Sequence, residues 1–145
     1  MSDTIEARVS IVMPTYKRDD VYLGRALRSL LDQTYHNIEI VVVDDNPVDS
    51  EARQKTQRYR ASFANEPRIL YHRNEVNVGG ALARNVGIEL ATGAYITFLD
   101  DDDVYRPEKI RRQVEFMEEE GLEMCFADLD LVNPDGVFLY KREHP

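Results

Sequence analysis

Five short runs of aliphatic and β-branched residues punctuate the chain: Val9 to Met13, Ile38 to Val43, Arg68 to His72, Tyr95 to Leu99 and Met124 to Leu131. Each is bounded by polar or turn residues, so each reads as a strand. Between the first two, Leu23, Ala26, Leu27, Leu30 and Leu31 recur at helical spacing. Leu82, Val86 and Leu90, then Ile110, Val114 and Met117, repeat that period, and the segment from Ser50 to Phe63 reads as a further, less regular helix. Pro107 and Glu108 suit the first turn of the last helix, where a missing N–H costs nothing and a carboxylate favours the dipole. Strands alternating with helices imply an α/β fold, a mainly parallel sheet with helices on both faces.

A chain of 145 residues with 43% hydrophobic content is expected to form one domain, residues 1–145, with an ordinary core. Its net charge of −9 opposes attraction to nucleic acid or an anionic membrane surface. No apolar run reaches the roughly 18 residues of a bilayer span, and the N-terminus lacks the order of a signal peptide. The single cysteine, Cys125, reads as a buried strand residue in a reducing, cytoplasmic setting.

In open parallel sheets, ligands bind beyond the carboxyl ends of the strands. Those positions hold Pro14-Thr15-Tyr16, Asp44-Asp45-Asn46, Asn77-Val78-Gly79-Gly80 and four consecutive acids, Asp100 to Asp103. Four adjacent carboxylates repel one another unless a cation sits among them. Side chains one apart point to opposite faces while those two apart share a face, so the D-x-D spacing puts Asp100 and Asp102 toward one ion. Hard oxygen donors suit Mg²⁺ or Mn²⁺, with positions left over for diphosphate oxygens. The competing interpretation is a solvated acidic loop ahead of the helix at Pro107. Asp45 offers an acceptor to a base N–H, and Tyr16 a ring on which a base could stack. A strand cap, a turn before Pro47 and half-buried packing explain the same residues equally well. Gly79 and Gly80 open a helix whose first N–H groups favour an anion, and Arg84, one turn further, either faces that anion or solvates the helix.

In order and kind, "SIVMPTY" (Ser10 to Tyr16), "SLLDQTYHNIEIVVVDDN" (Ser29 to Asn46), "NVGGALARNVGI" (Asn77 to Ile88) and "GAYITFLDDDDVYRPEKI" (Gly93 to Ile110) resemble successive segments of the family-2 glycosyltransferases of GT-A fold. The resemblance implies an inverting transfer from a nucleoside-diphosphate sugar, a UDP-sugar by preference, to a sugar, lipid-linked or polysaccharide acceptor. It also implies that Pro14, Thr15 and Tyr16 line the nucleoside pocket and that Asp45 binds the base. Asp100 and Asp102 match the family's D-x-D, Asp102 as the Mn²⁺ or Mg²⁺ ligand, with Asp101 near the ribose or diphosphate. Gly79 and Arg84 fall in the segment that faces the phosphates. The family's general base lies in a later segment, so the chain is expected to be truncated before it, and a catalytically incomplete nucleotide-binding or interaction module of the same fold is the alternative.

Two other folds offer acids at strand ends. A receiver-type domain needs a phosphoacceptor Asp after its third strand, where His72 stands. A dehalogenase-like phosphatase needs D-x-D-x-[TV] at its start, whereas "FADLDLV" (Phe126 to Val132) comes near the end. Scattered histidines at 36, 72 and 144 and the lack of a GxSxG elbow leave zinc and acyl-transfer chemistry without support.

Overall fold

A computed structural model of the chain describes residues 6–142, in two compact units that meet at Arg111/Arg112. The first unit is built on four parallel strands, β1 (Val9–Thr15), β2 (Ile38–Asp44), β3 (Ile69–Arg73) and β4 (Tyr95–Phe98), in the order β3-β2-β1-β4. Val9 lies beside Ile38 and Tyr95, and Ile40 beside Ile69. β2 is buried along its whole length, which is why its middle, Ile40 to Val43, is apolar on both faces rather than alternating.

The helices α1 (Asp20–Leu31), α2 (Glu51–Ala61) and α3 (Gly80–Leu90) fill the crossovers. α1 starts where Asp19 accepts the N–H of Val21, and it buries Leu23, Ala26, Leu27 and Leu30, each worth about 1.5–3 kcal/mol for a large aliphatic side chain. α2 starts at Ser50, whose hydroxyl accepts the N–H of Arg53. On the opposite face α3 packs Ala83 against Val12, Val41 and Val43, with Val86 and Leu90 at the margin. Leu82, expected on that face, is 55% exposed. The contact stripe instead runs through the small residues Ala83 and Gly87, since a Cβ on Gly87 would come within 2.2 Å of Val12. Close approach of backbone to sheet has displaced the bulky residue to the rim.

At the amino end of the sheet, Glu39 is 6% exposed and accepts bonds from the Ser10 hydroxyl and from the Thr92 N–H and hydroxyl, with Arg8 at 3.3 Å. Burial works to raise its pKa, but these donors and the Arg8 charge outweigh it and hold the carboxyl below its ordinary 4.5. A depressed folded value means stability that is fully present above 4.5 and is lost as pH falls through the folded pKa. Glu39→Gln is therefore expected to lower stability at pH 7 and to flatten the acid limb of a urea-midpoint profile. An acid limb as steep as in wild type would show that the bonds lie elsewhere.

α4 (Lys109–Glu120) carries the boundary between the units. Pro107 and Glu108 form the turn ahead of it rather than its first turn. The turn is pinned by Gln33, which is 1% exposed, donates to the carbonyls of Ser29 and Arg106 and accepts the N–H of Ile110.

In the second unit, the fifth apolar run forms only the short strand β5 (Leu129–Val132), paired antiparallel with β6 (Phe138–Arg142) in a separate hairpin. Residues 124–128 are not strand, and Met124 and Phe126 are 67% and 85% exposed. Cys125 is half-buried and accepts a bond from Gln113. Apolar composition alone does not make a strand, because the backbone must find a ladder partner. Among the described residues no helix is long and apolar enough to cross a membrane.

Candidate functional site

Every loop that leaves the carboxyl end of the first unit's sheet is fixed by a polar side chain. After β1, Lys17 takes a left-handed backbone, φ 49°, and gives its N–H to Asn46 Oδ1 at 2.7 Å. A non-glycine residue held there costs on the order of 1 kcal/mol, which the Asn46 bond and the Asp19 cap of α1 offset. Tyr16, just ahead, is 44% exposed, with the Lys17 ammonium 5.1 Å from its ring centre. Pro14 is half-buried, whereas Thr15 is buried.

After β2, the two aspartates do different work. Asp44, fully buried, accepts from the N–H and amide of Asn46 and from the Tyr71 hydroxyl, and its carboxylate is ion-paired with the Arg53 guanidinium at 3.4 Å. Burial and then the Asp44 carboxylate push the Tyr71 phenol far above its usual range. Asp45, 2% exposed, faces the segment after β3: its Oδ1 accepts from Asn74 Nδ2 and the Val78 N–H, its Oδ2 from Asn77 Nδ2 and the Gly79 N–H, all at 2.7–2.9 Å. A carboxylate has about four in-plane acceptor positions, and here the chain's own donors take them. A base N–H would have to replace one of these donors.

The same contacts revise the expectation at the α3 start. The anion that the Gly79 N–H binds is the protein's own Asp45, a carboxylate placed where the helix dipole favours it. Gly79, at φ 86°, is the one residue type that takes this backbone without strain.

β4 ends at Phe98, so the acidic run lies in a turn, with the Asp103 N–H donating to the Asp100 carbonyl at 3.1 Å. The pleat that would place Asp100 and Asp102 on one face is therefore not present, and the acids pair separately, Asp100 with Arg84 and both Asp101 and Asp102 with Arg18. Asp100 is exposed and paired with Arg84 Nη2, so Arg84 is neither purely solvated nor free to face a distant group. Asp101 is 5% exposed; its Oδ1 accepts from Arg18 Nε at 2.8 Å, and its Oδ2 is buried with no partner. Arg18 Nη2 reaches Asp102 Oδ2 at 3.1 Å. Burial, then the charges of Asp102 and Asp100, raise the pKa of Asp103. Tyr105 braces the turn from behind: its hydroxyl donates to the Phe98 carbonyl at 2.6 Å, its N–H to Ser29 at 3.1 Å, and burial lifts its pKa to about 12.

Among the described residues no three His, Cys, Asp or Glu side chains stand together as a ready-made metal cage. The donor set nevertheless fits a Mg²⁺ or Mn²⁺ ion, which takes one or two carboxylates and fills its shell with water and phosphate oxygens. The orphaned Asp101 Oδ2 is the observation that favours such a ligand. The only other buried side-chain atom without a partner among the described residues, Thr15 Oγ1, stands at the end of β1, the strand beside β4. Buried polar atoms are almost always satisfied, so the last residue of β1 and the turn after β4 each hold a polar atom that a water or another external group would complete.

Sequence reasoning singled out the strand ends but missed Arg18, Arg53, Asn74 and Tyr71. Only the loop polarity around Arg18 hinted at it. A buried Arg53 on a weakly amphipathic helix gives no pattern at all.

A parallel sheet with its polar loops gathered at the carboxyl ends, two of them acidic, defines a Rossmann-like architecture, and the structural neighbours are GT-A glycosyltransferases. The sequence profile of glycosyl transferase family 2 matches residues 10–145, and the chain belongs to that family. It is 36% identical over 136 residues to the putative teichuronic acid biosynthesis glycosyltransferase TuaG of Bacillus subtilis, covering 94% of this chain and 52% of that protein. It is 41% identical over 102 residues to the putative colanic acid biosynthesis glycosyl transferase WcaA of Escherichia coli K12, covering 70% and 35%. Residues 1–349 of S. aureus TarS in complex with UDP-GlcNAc superpose with a TM-score of 0.68 at 29% identity, over 79% of this chain and 32% of that one. The chain thus spans about half of TuaG and about a third of WcaA and of that TarS chain.

Proposed function

We propose that these residues hold the donor of a glycosyltransferase that moves a sugar from a nucleoside-diphosphate sugar, a UDP-sugar by preference, to a sugar, lipid-linked or polysaccharide acceptor with inversion. The observation that carries this reading is the pair of orphaned buried atoms, Thr15 Oγ1 and Asp101 Oδ2, beyond the ends of adjacent strands. The UDP-GlcNAc and UDP bound by the TarS relative support the donor class. A cytoplasmic setting belongs to the same reading, since Cys125 has no second thiol in the sequence with which to pair.

In this reading Pro14, Thr15 and Tyr16 line the nucleoside pocket. The exposed Tyr16 ring offers the base a stacking surface. Asp45 shapes the far wall through the 74–79 segment and would meet the base only by giving up one of its present donors. Gly79 lets that segment turn close to the phosphates, and Arg84 reaches them by leaving Asp100. Asp102 and Asp100 would hold Mn²⁺ or Mg²⁺, with Asp101 beside the ribose or diphosphate. The ion would supply positive charge to the leaving diphosphate. No side chain of this chain is assigned as the general base.

Thermal unfolding with UDP tests the reading. A ligand at about 100 times its dissociation constant adds roughly 2.7 kcal/mol if only the folded state binds it, a rise on the order of 5–10 °C for a chain of this size. UDP with Mn²⁺ is expected to give that rise, UDP alone little of it, and Asp102→Asn is expected to abolish the difference. Equal stabilisation with and without the metal would remove the acidic turn from the site.

A further inference from the structure

Arg18 spans from the loop after β1 to the turn after β4. Its guanidinium holds two neighbouring carboxylates at once, Nε to Asp101 at 2.8 Å and Nη2 to Asp102 at 3.1 Å. The backbone on either side is fixed, by the Lys17 bond to Asn46 and by the Asp19 cap of α1. The fork is thus delivered to the acids rather than reaching them by chance, which distinguishes it from a surface ion pair between two floppy side chains. Arg18 and Asp102 are partly exposed, at 33% and 44%, while Asp101 is 7% exposed at the side chain. The Asp101 contact is sheltered, the Asp102 contact is open to exchange, and Asp101 still presents the orphaned Oδ2.

Resting on the donor-site reading above, we propose that Arg18 is a resident counter-cation of the acidic turn: its single charge is shared between Asp101 and Asp102 until a divalent ion arrives, and it gives up Asp102 to that ion while keeping Asp101. The physical reason is competition for one carboxylate. An ammonium- or guanidinium-type charge within 4–6 Å of a carboxylate favours its ionised form by the equivalent of 1–3 pKa units, and a second cation must displace that interaction. Arg18 therefore weakens metal capture in the empty site while keeping the turn from flying apart through repulsion among four acids.

The test is Mn²⁺ binding to the 145-residue chain, followed by the electron paramagnetic resonance signal of the free ion, without nucleotide and with saturating UDP. Arg18→Gln is expected to bind Mn²⁺ about tenfold more tightly than wild type without nucleotide. Arg18→Lys, which keeps a charge but loses the fork, is expected to fall between the two. Far-UV circular dichroism of each variant separates altered affinity from altered folding. Mn²⁺ binding that depends on Asp102, but is unchanged or weakened in both Arg18 variants, overturns the counter-cation role and leaves the donor site standing. Absence of any Asp102-dependent Mn²⁺ binding, in wild type and Arg18→Gln alike and with or without UDP, overturns both.

Discussion

Asp45→Ala is expected to cost about 3–5 kcal/mol of folding stability, read from the shift in the urea midpoint at constant slope. The carboxylate satisfies four donors, the side-chain amides of Asn74 and Asn77 and the N–H groups of Val78 and Gly79. Each buried donor left without an acceptor costs about 1–3 kcal/mol, partly recovered where water enters. Asp45→Asn is expected to be no rescue, because an amide brings its own donor against the ones it should accept. The same change frees the α3 start, where the carboxylate stands on the positive end of the helix, so UDP binding should weaken with stability. A loss below about 1 kcal/mol for both variants would mean that the 74–79 segment is held by something other than Asp45.

The second large effect is expected at Arg53, which is 4% exposed. Its guanidinium donates to the carbonyls of Asn46 and Asn74, the latter at 2.7 Å, and stands 3.4 Å from Asp44. Arg53→Leu leaves a fully buried carboxylate without its cation, a situation that costs about 3–5 kcal/mol. Arg53→Lys should recover only part of this, since one ammonium cannot fork between two carbonyls on different loops. Paired with Asp44→Asn, Arg53→Leu should be less damaging than the sum of the two single changes, because the uncompensated charge is then gone. Strict additivity in that double-mutant cycle would show that the two groups do not feel each other.

Both predictions concern residues that hold the site rather than touch a ligand, and the sequence signalled them unequally. Asp45 was visible as one of two acids after an apolar run, yet its local pattern could not distinguish a ligand-binding carboxylate from a hub for backbone N–H groups. That distinction depends on Asn74, Asn77 and Gly79, which are about thirty residues away along the chain. Arg53 was invisible, because nothing in the composition of α2 marks a buried cation. The acidic run was legible as a cluster of charge, but not as a turn. Tyr95 to Leu99 reads as strand to its end, and only the Asp103 bond to Asp100 shows that the pleat stops at Phe98.

Local pattern decided the elements of the first unit, because an amphipathic helix imposes a repeat and a parallel strand buried on both faces an unbroken apolar run, and one dimension can carry either. It also placed the polar loops at the carboxyl ends, since right-handed crossovers bring all the parallel strands to the same edge. Tertiary structure decided the rest. Which small residue of α3 meets Val12, which donors fill Asp45, and that Arg18 of one loop holds the acids of another are all facts of distance between remote segments. The fifth apolar run makes the same point: its composition invited a strand, but a strand exists only where a neighbouring backbone completes its hydrogen bonds.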